Sequence, residues 1–237
     1  MKMNNTHIRI AHISDVHIRM KDRHEEYQEV FDRLYKMLRE DNPDRIFLGG
    51  DIVHSKISLS PELVQLTRSF LMNLADIAAV DLIAGNHDMN VSNLDRMDAL
   101  TPIVNSIGKD YGYGINYMRE GGFYEVDGEP LVYGVYSLID GKPTRLTKKD
   151  REEGKFYVAA YHGPVAGCLL ENEYEFSEAS MSLRSFGGYD FVFLGDIHKC
   201  QGLGNPKVET IDEYLTGEEL EKLRNDPNVE DIEIIDE

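Results

Sequence analysis

Short apolar runs of strand length recur along this 237-residue chain, and most of them stop at an aspartate, an asparagine or a histidine. Two such runs, IRIAHISDVHI (8–18) and FVFLGDIHKCQ (191–201), lie far apart and both contain Asp-x-His where the apolar stretch stops. Continuous apolar runs are typical of strands that are buried on both faces. The chain is therefore expected to form a buried sheet whose strand ends carry polar side chains.

Helical patterns separate the early apolar runs. Helices are predicted over 24–40, over 61–78, which Ser60-Pro61 opens, and over 93–107. Strands are predicted over 8–14, 45–50, 80–84, 122–126, 131–137, 156–161 and 189–194. Asp127-Gly128 is a hairpin signal between two of these strands. Alternating strands and helices indicate an α/β fold with a parallel or mixed sheet that is covered by helices.

Five strand ends carry side chains of the types that bind metal ions. In chain order they supply Asp15 and His17, Asp51 and His54, Asn86 with His87 and Asp88, His162, and Asp196 with His198. Sites in open α/β sheets form in the crevice outside the carboxyl ends of the strands. Oxygen and imidazole donors suit divalent metals such as Mn²⁺, Fe²⁺ and Zn²⁺. Six or seven donors are too many for one tetrahedral ion and fit two ions roughly 3.5–4 Å apart.

The order of these motifs resembles that of the metallophosphoesterase (calcineurin-like) superfamily: D-x-H, G-D-x-x-H, G-N-H-D, an isolated H and a final G-x-x-H, over 8–201. GDIVHSKISLSPELV and the loop after DVHI are similar to the SbcD-type branch, the nuclease subunit of double-strand-break repair complexes, including its phage versions. The resemblance implies a four-layer α/β/β/α sandwich with mixed sheets. A catalytic domain is expected at 1–204, and the composition of 205–237 indicates an acidic helix or tail.

The resemblance also implies a role for each motif residue. The first metal is assigned to Asp15, His17 and His198, the second to Asn86, His162 and Asp196, and the bridge between them to Asp51. His87 is expected to protonate the leaving group or stabilise the transition state, His54 to orient the phosphate, and Asp88 to fix the His87 ring. Arg19, Lys21 and Arg23 are expected to contact the phosphate backbone, the alternative being a solvated charged loop.

Asp196 departs from the family pattern, which usually has histidine at that position. If Asp196 ligates, three carboxylates meet two divalent ions, and the added oxygen donor favours Mn²⁺ or Mg²⁺ over Zn²⁺. We therefore expect two divalent ions with Mn²⁺ as the first choice, and Mg²⁺, Fe²⁺ and Zn²⁺ as alternatives. The other reading of Asp196 is a carboxylate that does not ligate.

The net charge of −18 argues at first against a nucleic-acid substrate. Residues 209–237, however, hold 12 acidic and two basic side chains, so that −10 of the −18 lies there. The sign of the whole chain is therefore a poor guide to the face that meets substrate. DNA is the favoured partner by resemblance rather than by composition.

Other expected partners also follow from the resemblance. An SbcC/Rad50-type ATPase is the family partner, but the acidic tail begins soon after the last motif, so the capping domain and the docking segment are expected to be absent. A homodimer through 61–78 or 93–107 is left open. Two cysteines, Cys168 and Cys200, give no disulfide framework, and no run approaches the ~18 apolar residues of a membrane span. A cytoplasmic location, or the host cytoplasm if phage-encoded, is expected.

The predicted function is metal-dependent phosphodiester hydrolysis, by a DNA exonuclease or endonuclease acting in recombination or repair. One rival is a phosphodiesterase or phosphatase that acts on small molecules or phosphoproteins, which the metal motifs alone do not exclude. A second rival is a non-catalytic subunit that binds a partner.

Overall fold

The computed structural model describes residues 7–20, 23–108, 114–141, 145–169, 174–177, 179, 181–199 and 201. The chain divides into two compact units, residues 1–163 with 185–196, and residues 164–184 with 197–237. The predicted tail at 205–237 lies outside the described residues, so the predicted domain division stays a prediction. No helix in the described ranges is both long and apolar enough to cross a membrane.

Ten strands are described. In chain order they are β1 (Ile10–Ile13), β2 (Arg45–Leu48), β3 (Ala79–Leu82), β4 (Ile115–Tyr117), β5 (Gly122–Glu125), β6 (Leu131–Tyr136), β7 (Phe156–His162), β8 (Val165–Ala166), β9 (Met181–Ser182) and β10 (Phe191–Gly195). β8 and β9 pair in parallel within the second unit. The other eight strands form two sheets in the first unit.

The first sheet has the order β1-β2-β3-β4, and its strands are all parallel. The second sheet has the order β10-β7-β6-β5 and is mixed, because β5 alone runs antiparallel to its neighbour. Gly128, at φ +81°, lies in the turn that joins β5 to β6, which confirms the predicted hairpin. β4 was not predicted, because three residues are too few to show a pattern.

Three α-helices are described: α1 (His24–Asp41), α2 (Pro61–Ala75) and α3 (Leu100–Ile107). Ser60 caps α2 as predicted, since its Oγ accepts the Leu63 N–H at 3.2 Å. α3 begins at Leu100 rather than at the predicted 93. The Asp98 carboxylate accepts both the N–H and the hydroxyl of Thr101 at 2.7 Å, which satisfies the first turn of a helix at that point.

The first unit is layered. α1 to α3 pack on one face of the first sheet around Phe31, Phe70 and Leu100, which are buried. A second apolar cluster, with Phe47 and Tyr133 at its centre, fills the space between the two sheets. The predicted α/β sandwich with mixed sheets is thus confirmed. On the far face of the second sheet, the described residues of the first unit, such as Leu146, Phe186 and Tyr189, do not form a layer of α-helices.

A buried ion pair also lies between the sheets. Arg45 stands two residues before Phe47 on β2, so both side chains point to the same face of the sheet. Its Nε and Nη2 donate to the two carboxylate oxygens of Asp81 at 2.6 and 2.7 Å. Asn116 Nδ2 donates to the same carboxylate at 2.9 Å. Arg45 is 7% and Asp81 1% exposed, so this carboxylate is fully compensated inside the core.

Candidate metal centre

The strand register brings the predicted ligands to one edge of the first unit. Ile13, Leu48 and Leu82 are in register at the ends of β1, β2 and β3. In the second sheet, Gly195 pairs with His162 at the ends of β10 and β7. The residues that follow these positions leave parallel strands at their carboxyl ends, where sites in such sheets form.

The loops after β1, β2 and β10 adopt an uncommon backbone conformation. Asp15, His17, Asp51 and Asp196 all have positive φ, between 49° and 72°. Few residues other than glycine take this left-handed conformation, and each instance costs on the order of 1 kcal/mol or more. The Asp15 and His17 N–H groups donate to the carbonyls of Gly50 and Asp51 at 3.1 and 2.9 Å, which holds two of these loops side by side. Strain that is concentrated at four predicted ligands indicates a functional site.

Glycine is required where these loops approach each other. A Cβ on Gly85 would overlap the Asp51 carboxylate and lie 2.5 Å from the Asp51 backbone nitrogen. Gly50 has φ +101°, and a Cβ there would lie 2.6 Å from His162 Nδ1. The glycines of the G-D and G-N-H-D motifs therefore allow the loops to pack against the acidic centre.

Asp51 and His162 form the buried centre of the site, each 1% exposed. His162 Nε2 lies 3.3 Å from Asp51 Oδ1, 3.1 Å from Asn86 Oδ1 and 3.9 Å from Asp196 Oδ1. His162 Nδ1 lies 2.7 Å from the Gly49 carbonyl oxygen. Since a carbonyl only accepts, Nδ1 carries a proton and Nε2 faces the three oxygens. Metal-binding imidazoles are typically oriented in this way by a backbone carbonyl.

The charges of this centre favour a cation. Burial by itself lowers the pKa of His162, but hydrogen bonding and attraction to Asp51, with a contribution from Asp15, raise it to about 9. Burial likewise opposes ionisation of Asp51, but His162 and the His87 N–H hold the pKa of Asp51 below its usual value. The field of the carboxylates therefore stabilises positive charge at the position that His162 Nε2 faces.

Asp15 and Asp196 are brought together although they are far apart in sequence. The Asp196 N–H donates to Asp15 Oδ1 at 3.0 Å and lies 3.2 Å from Oδ2. The Asp196 side chain is 30% exposed. Ligand atoms of Asp15, Asp51 and His162 all lie within 4.8 Å of one another. Asp196 thus lies beside this cluster, while its role as a ligand stays a prediction.

Three imidazoles line the more open side. Ligand atoms of His17, His54 and His87 all lie within 4.8 Å of one another. The His17 and His87 rings are perpendicular, with centroids 4.8 Å apart. His17 Nε2 also lies 3.6 Å from Asp51 Oδ2, so His17 connects the imidazoles to the buried carboxylate. His54 is exposed, and its pKa is lowered by partial burial and by the nearby charges of Arg19 and His87.

His87 is held by the loop after β2. Its N–H donates to Asp51 Oδ1 at 2.8 Å, and its Nδ1 lies 2.6 Å from the His54 carbonyl oxygen. Nδ1 therefore carries a proton, and Nε2 is the nitrogen left to exchange one with a substrate.

Asp88 does not hold the His87 ring, so this prediction is wrong. The Asp88 carboxylate is fully buried and accepts backbone N–H groups of Val53 at 2.9 Å, Gly85 at 2.9 Å and Ile52 at 3.3 Å. Burial raises its pKa to about 7 despite these bonds. Asp88 thus joins the loop after β2 to the loop after β3, and the His54 carbonyl takes the role that the sequence assigned to Asp88.

The described contacts assign no binding role to the remaining predicted residues. Arg19 is exposed near His54. Arg23 forms an ion pair with Glu26 at the start of α1. Lys21 lies outside the described residues, and His198 belongs to the second unit. The roles of all four in binding DNA or metal stay predictions.

Two contacts to the ligand loops could not be found from the sequence. The Tyr27 hydroxyl, on α1, donates to the His17 carbonyl at 2.7 Å, and Lys56 Nζ donates to the Asn86 carbonyl at 2.6 Å. Both side chains bind backbone atoms of residues distant in the chain. The sequence pattern at Tyr27 indicated only an apolar helix face, and Lys56 carried no signal beyond its charge.

Comparison with known proteins gives three findings. The family model described as calcineurin-like phosphoesterase matches residues 8–200. An uncharacterized protein of Acanthamoeba polyphaga mimivirus is 39% identical over an alignment of 209 residues, which covers 84% of this chain and 15% of that protein. The chain thus spans less than a sixth of that relative. The crystal structure of the Pseudomonas putida nuclease MPE is similar with a TM-score of 0.37 and 15% identity, over 70% of this chain and 66% of that chain.

Proposed function

The chain belongs to the calcineurin-like phosphoesterase family, and on that premise we propose that this metal-dependent phosphoesterase cleaves phosphodiester bonds in DNA. The observation that carries the proposal is the convergence of Asp15, Asp51, Asn86 and His162, with Asp196, at the strand ends. Their oxygens and imidazole nitrogens are the donors that divalent ions of the Mn²⁺ and Fe²⁺ type prefer.

The residues present fit two divalent ions. Asp51, whose two oxygens face His162 and His17, suits the bridging position. As the family resemblance implies, Asp15, His17 and His198 would hold one ion, and Asn86, His162 and Asp196 would hold the other. Bound ions would supply positive charge that polarises the phosphate and lowers the pKa of an attacking water. Because Asp196 adds a third carboxylate, we propose Mn²⁺ as the preferred metal.

A residue of the chain would supply the proton that the departing oxygen takes up. His87 Nδ1 is committed to the His54 carbonyl, so Nε2 is left to donate a proton to the departing oxygen. His54 is exposed beside it and would contact a non-bridging phosphate oxygen, as the family resemblance implies. Asp51 and His162, by contrast, are buried away from bulk water.

A DNA substrate is supported by three features. The resemblance to the SbcD-type branch extends beyond the metal ligands themselves. Arg19 lies close enough to His54 to lower its pKa, so a cation borders the imidazole cluster. The strongest acidity of the chain is confined to 209–237, outside the described residues. The SbcC/Rad50-type ATPase and a homodimer remain proposals without a described contact.

The test uses metal-free protein, to which Mn²⁺, Mg²⁺ or Zn²⁺ is added. Labelled linear duplex DNA, single-stranded DNA, bis-p-nitrophenyl phosphate and nucleotides are compared as substrates. We expect Mn²⁺-dependent digestion of DNA, and a loss of roughly 100-fold or more in His87→Ala with metal binding retained. Activity confined to small esters would replace the nuclease by a small-molecule phosphodiesterase. Metal binding without hydrolysis of any ester would indicate a non-catalytic subunit.

A further inference from the structure

Lys56 lies two residues after His54 in the loop that follows β2. Its Nζ donates to the backbone carbonyl oxygen of Asn86 at 2.6 Å, and the contact is partly buried. Asn86 and His87 share the peptide group to which this carbonyl belongs. Lys56 thus binds the one peptide that joins a proposed metal ligand to the proposed proton donor.

The same peptide is held from its other side. Its N–H, on His87, donates to Asp51 Oδ1 at 2.8 Å, while the His87 ring binds the His54 carbonyl. Three residues of a single loop, Asp51, His54 and Lys56, therefore fix the plane of the peptide and the rotation of the ring.

The Lys56 bond should support this peptide strongly. A hydrogen bond from an ammonium is charge-assisted and about twice as strong as a neutral one. Charge at the carbonyl also polarises the peptide, so that its N–H donates more strongly to Asp51. Proton transfer is sensitive to such support, since a shift of ~1 Å in a reacting group costs on the order of 100-fold in rate.

We propose that Lys56 is a positioning residue that acts through the Asn86–His87 peptide to hold His87 against the leaving group. This inference rests on the proposed function, and it assigns Lys56 no direct contact with the reacting atoms. A Lys56 that instead bound the substrate phosphate would affect substrate binding and would act independently of His87.

Leaving-group dependence separates these possibilities. Bis-p-nitrophenyl phosphate releases a stable phenolate and needs little proton donation, whereas diphenyl phosphate releases a more basic phenolate. We expect Lys56→Met to lower kcat on diphenyl phosphate by about 10- to 100-fold, to lower it much less on the nitrophenyl ester, and to leave KM unchanged on both. Lys56→Arg should restore part of the rate. Lys155→Met, which removes a half-buried lysine paired with Glu125 and Glu152, is the matched control.

A double-variant cycle completes the kinetic test. In a His87→Ala background, Lys56→Met should cause no further loss on diphenyl phosphate. An equal loss on both esters, a raised KM with unchanged kcat, or an undiminished loss in the His87→Ala background would each overturn the inference.

A readout without turnover separates this inference from the proposed function. In metal-free protein, the amide ¹H and ¹⁵N resonances of His87 should shift in Lys56→Met, return toward wild type in Lys56→Arg and stay unchanged in Lys155→Met. Unchanged His87 resonances in Lys56→Met would overturn the inference even in an active enzyme. A wild type that is inactive on every ester, but shows the shift, would overturn the proposed function and leave the positioning contact established.

Discussion

Asp81 and Asp51 are both buried carboxylates in the first unit, and they are compensated in different ways. Asp81 lies between the sheets, where Arg45 donates two hydrogen bonds to it at 2.6 and 2.7 Å. Asp51 lies at the strand ends, where, among the described residues, it meets the imidazoles of His17 and His162 and the His87 N–H, but no guanidinium or ammonium group. A buried acid paired with a guanidinium, which cannot lose its proton, is part of the core, whereas acids that face imidazoles, which can lose theirs, can take a metal cation from solution.

The largest change in stability is expected for the buried Arg45–Asp81 pair. Arg45→Met leaves Asp81 buried without its partner and should lower the free energy of unfolding by about 3–5 kcal/mol. Arg45→Met combined with Asp81→Leu should recover most of that loss, because no buried charge remains. Urea denaturation of metal-free protein measures both variants. If the double variant were as unstable as the single one, Asp81 would not be the source of the loss.

The centre at Asp51 should respond to metal instead. Wild type should gain about 2.7 kcal/mol of stability for each bound ion at a Mn²⁺ concentration 100 times its Kd. Asp51→Asn should lose most of this gain, measured against its own metal-free stability. Denaturation with and without Mn²⁺ checks the difference, and Arg45→Met is the control that should keep the full gain. An equal Mn²⁺ effect in Asp51→Asn would show that the ion binds elsewhere.

These two carboxylates also show what the sequence could predict. Asp51 was predicted as a ligand because polar residues at the ends of parallel strands converge at one edge, and the register of β1, β2 and β3 confirms that convergence. The Arg45–Asp81 pair was not predicted. Arg45 opens its strand, where a charge is common at a sheet boundary, and only tertiary packing places it between two sheets.

The missed features share a physical cause. Asp88, Tyr27 and Lys56 act by binding backbone groups of other segments, and such contacts leave no residue pattern at either end. The late start of α3 likewise depends on Asp98, which Arg119 binds from 21 positions away. Long, strongly patterned elements and strand-end motifs were therefore predictable, but the supports of the site were not.

The stability that Asp98 contributes should depend on pH. Burial opposes its ionisation, but hydrogen bonds from Arg119 and Thr101 hold the pKa of Asp98 below its usual value. A folded-state pKa below the unfolded value of about 3.9 gives stability that is present above that pH and is lost as pH falls through the folded pKa. The free energy of unfolding of wild type should therefore exceed that of Asp98→Asn by about 2 kcal/mol at neutral pH.

That difference should shrink once the pH falls below about 4. Denaturant titrations of both metal-free proteins across the acid range measure it. A difference that did not change with pH would mean that packing, rather than the charge of Asp98, stabilises the start of α3.

The smallest change in stability is expected for the uncharged contacts of Ser60. Ser60 caps α2 and also donates from Oγ to the Met20 carbonyl at 2.8 Å. Ser60→Ala should cost about 1 kcal/mol, with no change in the stability gained from Mn²⁺. Thermal or urea unfolding with and without metal checks this variant. A reduced Mn²⁺ effect would show instead that the loop after β1 depends on this contact to present its ligands.

The central claim, that the strand ends hold a pair of divalent ions bridged by Asp51, is tested most directly by electron paramagnetic resonance of Mn²⁺-titrated protein. Two ions roughly 3.5–4 Å apart should give an exchange-coupled spectrum at two equivalents of Mn²⁺ per chain. Asp51→Asn should lose the coupling. Wild-type protein that bound no Mn²⁺, or gave only the six-line spectrum of isolated ions at saturation, would contradict the account.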